Sequence, residues 1–120
     1  MDRAALGKLG EEIALRYLEN RGYVITGRRV RFGGVEIDLV AEQGDEVVFI
    51  EVKTRACERF GQPEESVTAG KRQRLRQAAY SFVAARRPAP RFRIDVIAVL
   101  FGPTDKIRLR HYRNAVGEEE

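Results

Sequence analysis

Val35-Glu36-Ile37-Asp38-Leu39-Val40 is followed, beginning twelve residues after Asp38, by Ile50-Glu51-Val52-Lys53. Both stretches are rich in β-branched residues and alternate polar with apolar positions, the pattern of half-buried strands. Residues two apart on a strand share a face, so Glu51 and Lys53 point one way and Ile50 and Val52 the other. Asp38 shares its expected face with Glu36 and Val40, opposite Val35, Ile37 and Leu39. An unpaired charge inside a sheet is strongly unfavourable, so charges placed here need partners. If the two strands pair as a hairpin, Asp38 lies beside the face that carries Glu51 and Lys53. Carboxylates from neighbouring strands plus a lysine make a hard-cation site beside a water-orienting amine, the chemistry of a metal-dependent phosphodiesterase.

Asp38 and Glu51 can supply oxygens to one Mg²⁺ or Mn²⁺, ions that prefer carboxylate and water ligands. The backbone carbonyl of Val52 lies between the two functional positions of its strand and is a natural extra ligand. Lys53 can orient an attacking water and offset negative charge as it builds. A third carboxylate is expected from the first helix, where Glu11 and Glu12 stand side by side. Glu12 has Lys8, Arg16 and Glu19 as helical neighbours, a charged and solvated sector. Glu11 has Gly7, Ala14, Leu15 and Leu18 around it, so it needs a partner and is the better candidate. Gly7 and Gly10, each helix-weakening by about 1 kcal/mol relative to alanine, predict a close approach of that helix to the sheet. The alternative for Glu51 and Lys53 alone is a surface ion pair.

The rest of the chain frames this pair of strands. Its 120 residues, 43% hydrophobic and 33% charged, suit one globular domain over residues 1–116 with an acidic tail, 117–120, outside it. The tail is expected to be disordered. No apolar run approaches the roughly 18 residues that span a bilayer, and Met1 to Lys8 lacks the core of a secretory signal. A cytoplasmic location without membrane contact is the expectation. Cys57 and His111 are the only residues of their types, which excludes an intrachain disulfide, a cysteine–histidine zinc cage and a histidine-based triad. Cys57 reads as an incidental loop residue and His111 as a strand-surface one.

The net charge of +4 matters less than its distribution. Arg28, Arg29 and Arg31 form one cluster, Lys71, Arg72, Arg74 and Arg76 a second, and Arg86, Arg87, Arg91 and Arg93 a third. Acids gather between Glu36 and Glu65. Basic clusters around an acidic centre suit a polyanion held over a cation site; solvated faces are the plainer alternative. Arg28, Arg29, Arg31, Arg55, Lys71, Arg72 and Arg74 are the candidate nucleic-acid contacts. Lys71 reads either as a phosphate contact at a helix N-terminus or as a solvated helix end.

Periodicity and punctuation predict a helix over about 2–20, strands over about 23–30, 35–42 and 46–54, and a loop over 55–66. A second helix is predicted over about 68–85, stopped by Pro88 and Pro90, then strands over 92–100 and 106–112. Leu75, Ala78, Ala79, Phe82 and Val83 form the packing stripe of the second helix, with Gln77 expected at the surface and Tyr80 in the core.

Taken together, Gly10-Glu11, Gly22-Tyr23, Glu36-Ile37-Asp38-Leu39-Val40, Val48-Phe49-Ile50-Glu51-Val52-Lys53-Thr54-Arg55, Phe60-Gly61 and Lys71-Arg72-Gln73-Arg74-Leu75 resemble a small bacterial family of endonuclease-like proteins, the YraN-like family. That family is distantly similar to archaeal Holliday junction resolvases within the PD-(D/E)xK, restriction-endonuclease-like superfamily. The resemblance implies an α/β fold with an αβββαβ core and a central mixed sheet. It also implies a metal held by Glu11, Asp38 and Glu51, with Lys53 as the catalytic lysine. Two departures are visible: Arg29 stands where members often carry asparagine, and Val35 where glycine often precedes the Glu-Ile-Asp element. The expected function is Mg²⁺-dependent DNA endonuclease, by analogy on branched or otherwise structured DNA. A symmetric junction needs two sites, which motivates a homodimer. The alternative is a nucleic-acid-binding protein on the same scaffold with little or no cleavage activity. A third reading is a structural module whose acidic pocket takes an adventitious cation.

Overall fold

The computed structural model describes residues 2–56, 69–103 and 106–115. The expected loop around Cys57, Gly61 and Pro63 and the acidic tail lie outside them. The elements are α1 (Arg3–Asn20), β1 (Val24–Phe32), β2 (Val35–Gln43), β3 (Glu46–Ala56), α2 (Ala69–Ala84), β4 (Arg91–Phe101) and β5 (Ile107–Tyr112). The strands form one sheet in chain order, antiparallel throughout except for the parallel β3–β4 pair. A parallel pair needs a crossover, and α2 is the helix in that connection. This is the restriction-endonuclease-like αβββαβ core with a mixed sheet that the sequence predicts.

Local chemistry sets the helix ends. Asp2 caps α1 by accepting the Ala5 N–H at 2.8 Å. At the other end Gly22 adopts φ +88°, its N–H reaching the Glu19 carbonyl while the Tyr23 N–H reaches that of Leu18. That is a Schellman stop, and Tyr23 completes it by packing with Leu18 in the core.

The sheet is buried on both faces. Ala14, Leu15 and Leu18 of α1 cover Leu39, Ala41, Val48, Ile50 and Ile97. Leu75, Ala78, Ala79 and Val83 of α2 cover Val40, Phe49 and Ile94 from the other side. Each of these large aliphatic residues contributes roughly 1.5–3 kcal/mol by leaving water. Gly10 is where α1 comes closest, because a Cβ there would collide with the Thr54 side chain. Gly7, expected to serve the same approach, has open space beside it and plays no such part.

Two features of β2 decide where a site can form. Its ladder with β3 stops at Leu39↔Ile50, whereas its ladder with β1 runs on to Phe32↔Val35. The β1–β2 hairpin therefore leaves β3 and continues as a two-stranded arm. Ile37 and Val40 both pack in the α2 cluster, although simple alternation puts them on opposite faces. The arm coils over α2 once β3 no longer holds it flat, a twist that a strand-period reading does not contain.

Tyr80, expected in the core, is 45% exposed. It stands edge-on to Phe92 with ring centroids 5.1 Å apart. It stands outside the packing stripe of Leu75, Ala78, Ala79, Phe82 and Val83, which packs into the core as predicted.

Candidate active site

Where β2 and β3 part, a backbone acceptor is lost and a side chain replaces it. Asp38 Oδ2 accepts the Val52 N–H at 2.7 Å, so this carboxylate sits in the gap where the ladder would have continued. The N–H and C=O of a strand residue face the same neighbour, which turns the Val52 carbonyl toward Asp38 as well. Glu51 and Lys53 alternate with Val52 and lie on the α2 side. Glu51 is only 4% exposed, with Lys53 Nζ at 3.5 Å and Lys71 Nζ at 2.6 Å from its Oε1. Its other oxygen, Oε2, is buried with no hydrogen-bond partner among the described residues.

The electrostatics are those of crowded acids. Burial, then repulsion from Glu51, pushes the Asp38 carboxyl up to about 7; Glu11 adds to the push, while the Val52 N–H and Lys71 oppose it. Burial and the neighbouring Lys71 lower the Lys53 ammonium. Burial acts on Lys71 the same way, but its hydrogen bonds to Glu51 and Lys53 outweigh burial and hold it above the usual lysine value. Of two adjacent amines, one is biased toward the neutral form and the other toward the charged one.

The helix acids divide as expected. Glu12 is 38% exposed in its side chain and pairs with Arg16 and Arg28. Glu11 is 15% exposed and bonds Arg29 at 3.1 Å. Arg29 has φ +50°, a left-handed conformation that asparagine adopts more readily, which gives the departure at this position a backbone meaning. Glu11 lies near enough to Asp38 to act on its charge. Even so, among the described residues no three carboxylate, histidine or cysteine side chains gather at metal-ligand spacing. Glu11 and Glu51 instead turn oxygens toward Arg29 and Lys71. The donor set still suits a hard divalent cation: mutually repelling carboxylates, one buried orphan oxygen and a backbone carbonyl.

The basic candidates differ in what engages them. Arg28 and Arg29 are held by the helix acids, Arg55 Nη1 bonds the Thr54 carbonyl, and Lys71 is inside the site. Arg31 and Arg74 are exposed.

Arg93, read as part of a surface cluster, is buried, and so is the side chain of His111, read as strand-surface. Both converge on Asp95, which is 0% exposed. Arg93 Nε reaches its Oδ1 at 3.0 Å, and the Asn114 N–H the same atom at 2.8 Å. His111 Nε2 lies 2.7 Å from Oδ2, with its Nδ1 3.0 Å from the Tyr17 hydroxyl. Arg93 also bonds Glu46 and Tyr23. Burial alone would raise Asp95, but His111, the Asn114 amide and Arg93 together hold it below the usual carboxylate range. The network ties α1, β3, β4 and β5 together on the α1 side of the sheet, the face opposite Glu51. Its sequence signal was an acid inside the apolar run of β4, the same signal that marks Asp38 in β2.

The model of the uncharacterised protein family UPF0102 matches residues 10–99. A UPF0102 protein of Symbiobacterium thermophilum is 44% identical over 112 residues, 92% of this chain and 94% of its own length. One from Rhodococcus jostii is 40% identical over 112 residues, 92% and 95% of the two chains. Among solved structures, an XisH family protein from Nostoc punctiforme aligns with a TM-score of 0.49 at 20% identity, over 86% of this chain and 98% of that one.

Proposed function

This chain belongs to the UPF0102 family, the YraN-like proteins it resembles in sequence, and from that membership and the site at the β2–β3 divergence we propose that it is a metal-dependent DNA endonuclease. The observation that carries the reading is Glu51: a buried carboxylate with an orphan oxygen, two lysines on its other oxygen and Asp38 alongside. Crowded acids and paired lysines of this kind concentrate at functional sites.

Asp38, Glu51 and the Val52 carbonyl are the groups to hold Mg²⁺ or Mn²⁺, with Glu11 joining them on release from Arg29. The chemistry such a cation supplies when bound is charge that polarises a phosphate oxygen and eases deprotonation of water. Lys53, beside the Glu51 carboxylate, orients the attacking water and offsets negative charge as it builds on the phosphate. Lys71, biased toward its ammonium, offsets charge on the phosphate. Val52 fixes the Asp38 carboxylate through its N–H, so the site is aligned before DNA arrives. The substrate class is DNA, branched or otherwise structured by analogy with resolvases, and a homodimer would present two such sites. Among the described residues no helix is long and apolar enough to cross a membrane.

Cleavage assays with Mg²⁺ and Mn²⁺ on linear, single-stranded, flap and four-way-junction DNA test this reading. Turnover of at least one substrate that is lost in Asp38→Ala, Glu51→Gln and Lys53→Ala is the expected result. A nucleic-acid-binding protein with little or no cleavage activity is the second reading, favoured by the engagement of Glu11 and Glu51 with Arg29 and Lys71. DNA binding without cleavage under any of these conditions selects it.

A further inference from the structure

A groove of about 640 Å³ lies between the first turns of α1 and the last residues of β3, lined among others by Arg3, Leu6, Gly7, Thr54 and Arg55. Its inner end is close to the proposed active site. Gly7 is one helical turn from Glu11, Gly10 lies against Thr54, and Arg55 follows Lys53 by two positions on β3. Arg3 and Gly7 precede Glu11 at four-residue intervals, so the three run along one side of α1, a length of about 12 Å. Roughly three or four nucleotides of one strand cover that distance at about 3.4 Å each.

Three properties say what fits there. The first is Gly7, which weakens α1 although a Cβ at that position would meet nothing within 4 Å. Packing on the sheet does not call for glycine here. Its backbone is part of the groove wall, where a missing side chain lets a ligand come close. The second is charge, since Arg3 and Arg55 are both exposed and both line the groove. Arg55 gives Nη1 to the Thr54 carbonyl, and a guanidinium has further N–H donors for a ligand. Asp2 is the acid of the lining, and its Oδ1 is committed to the Ala5 N–H. The end of α1 is therefore already capped, and attraction for an anion comes from the two arginines. The third is the absence of an aromatic ring among the described lining residues, so nothing there stacks a base. Guanidiniums beside bare backbone suit sugar and phosphate, contacts that position a strand without reading its sequence.

We propose that this groove binds the sugar–phosphate backbone of the DNA strand to be cut, with phosphates at Arg3 and Arg55 and the chain against Gly7, and leads it to Glu11, Asp38 and Glu51 whatever its base sequence. The inference rests on the endonuclease reading and adds to it the course of the substrate strand and a grip that ignores sequence.

The test is binding of dye-labelled DNA followed by anisotropy in EDTA, which withholds the cation that cutting requires. The probes are two linear duplexes of unrelated sequence, a four-way junction and an RNA duplex. Arg3→Gln and Arg55→Gln each weaken DNA binding about three- to tenfold and reduce the slope of log affinity against log salt by about 0.9, the signature of one lost phosphate contact. Both linear duplexes lose alike. Gly7→Leu, which fills the groove, weakens binding about tenfold, while Gly7→Ala melts at or above the parent temperature. The salt slopes of the two arginine variants still decide the matter if Gly7→Leu fails to fold. Arg91→Gln, on β4 beside the first residue of β3, leaves affinity and slope unchanged. Parent protein that binds and cuts DNA while the Arg3, Gly7 and Arg55 variants match it overturns the groove and leaves the endonuclease. Equal losses in Arg91→Gln reduce the effect to net charge and overturn the groove as well. Losses confined to one duplex overturn the indifference to sequence, and tighter binding of the RNA duplex overturns the assignment to DNA. The stated losses without cleavage in Mg²⁺ or Mn²⁺ support the groove and remove the endonuclease, and no binding of any probe overturns both.

Discussion

Replacing Asp38 by asparagine is expected to stabilise the fold, and the size of the gain should depend on pH. Burial first, and Glu51 second, raise this carboxyl from 3.8 to about 7. A carboxyl whose pKa rises on folding holds its proton more tightly in the folded state, so its ionisation penalises that state. The penalty starts as pH climbs past 3.8, grows until about 7 and is constant above. At about 1.4 kcal/mol per pKa unit its ceiling is roughly 4 kcal/mol. Asparagine keeps an oxygen acceptor for the Val52 N–H and removes the charge, so about 2–4 kcal/mol of the ceiling should be recovered at pH 8. For a domain of this size that is a rise in Tm of roughly 8–16 °C, shrinking to about 3 °C or less at pH 4. Thermal melts of both proteins across that range read the gap directly. Added Mn²⁺ should raise the wild-type Tm at pH 8 and narrow the gap, since a cation relieves the repulsion that asparagine abolishes. A gap that stays flat with pH, or a variant melting below wild type at pH 8, refutes the reasoning and means that the fold already compensates the Asp38 charge.

Gly10→Ala should lose about 1–3 kcal/mol in urea unfolding by driving a methyl into Thr54, and Thr54→Gly in the same chain should return most of it; simple additivity of the two would show that the contact is not the cause. Asp95→Asn should lose about 3–5 kcal/mol at neutral pH, because it leaves Arg93 and His111 facing a neutral amide. Asp95 is held below its usual value, so its contribution is present above about 3.8 and fades as pH falls; the gap between wild type and variant should therefore narrow in acid, and a constant gap speaks against ionic stabilisation. Glu11→Gln should reduce cleavage and shift its Mn²⁺ dependence upward, whereas Glu12→Gln, losing exposed pairs of about 0.2–0.5 kcal/mol, should leave the rate intact; equal losses would mean that the third ligand lies elsewhere.

The sequence by itself determined the elements, their order and the β2–β3 face that carries Glu51 and Lys53. These follow from periods of two and of three to four residues, and from stop signals such as Gly22, all of which act within a few positions. It also separated Glu11 from Glu12, because helical neighbours three and four residues away describe their surroundings. Tertiary structure alone decided which charges meet. Lys71 reaches Glu51 across 20 residues of chain and Arg93 reaches Tyr23 across 70, distances over which periodicity says nothing. Arg93 and His111 looked like surface residues because their own strands place them on a face without saying what covers it. Tyr80 reads as core from its aromatic ring, yet it stands outside the stripe of α2 that packs on the sheet and meets only the edge of Phe92 among the ring contacts described. The coiling of the β1–β2 arm belongs to the same class: it arises where β2 loses β3 as a partner, and pairing is a property of two segments rather than of either one.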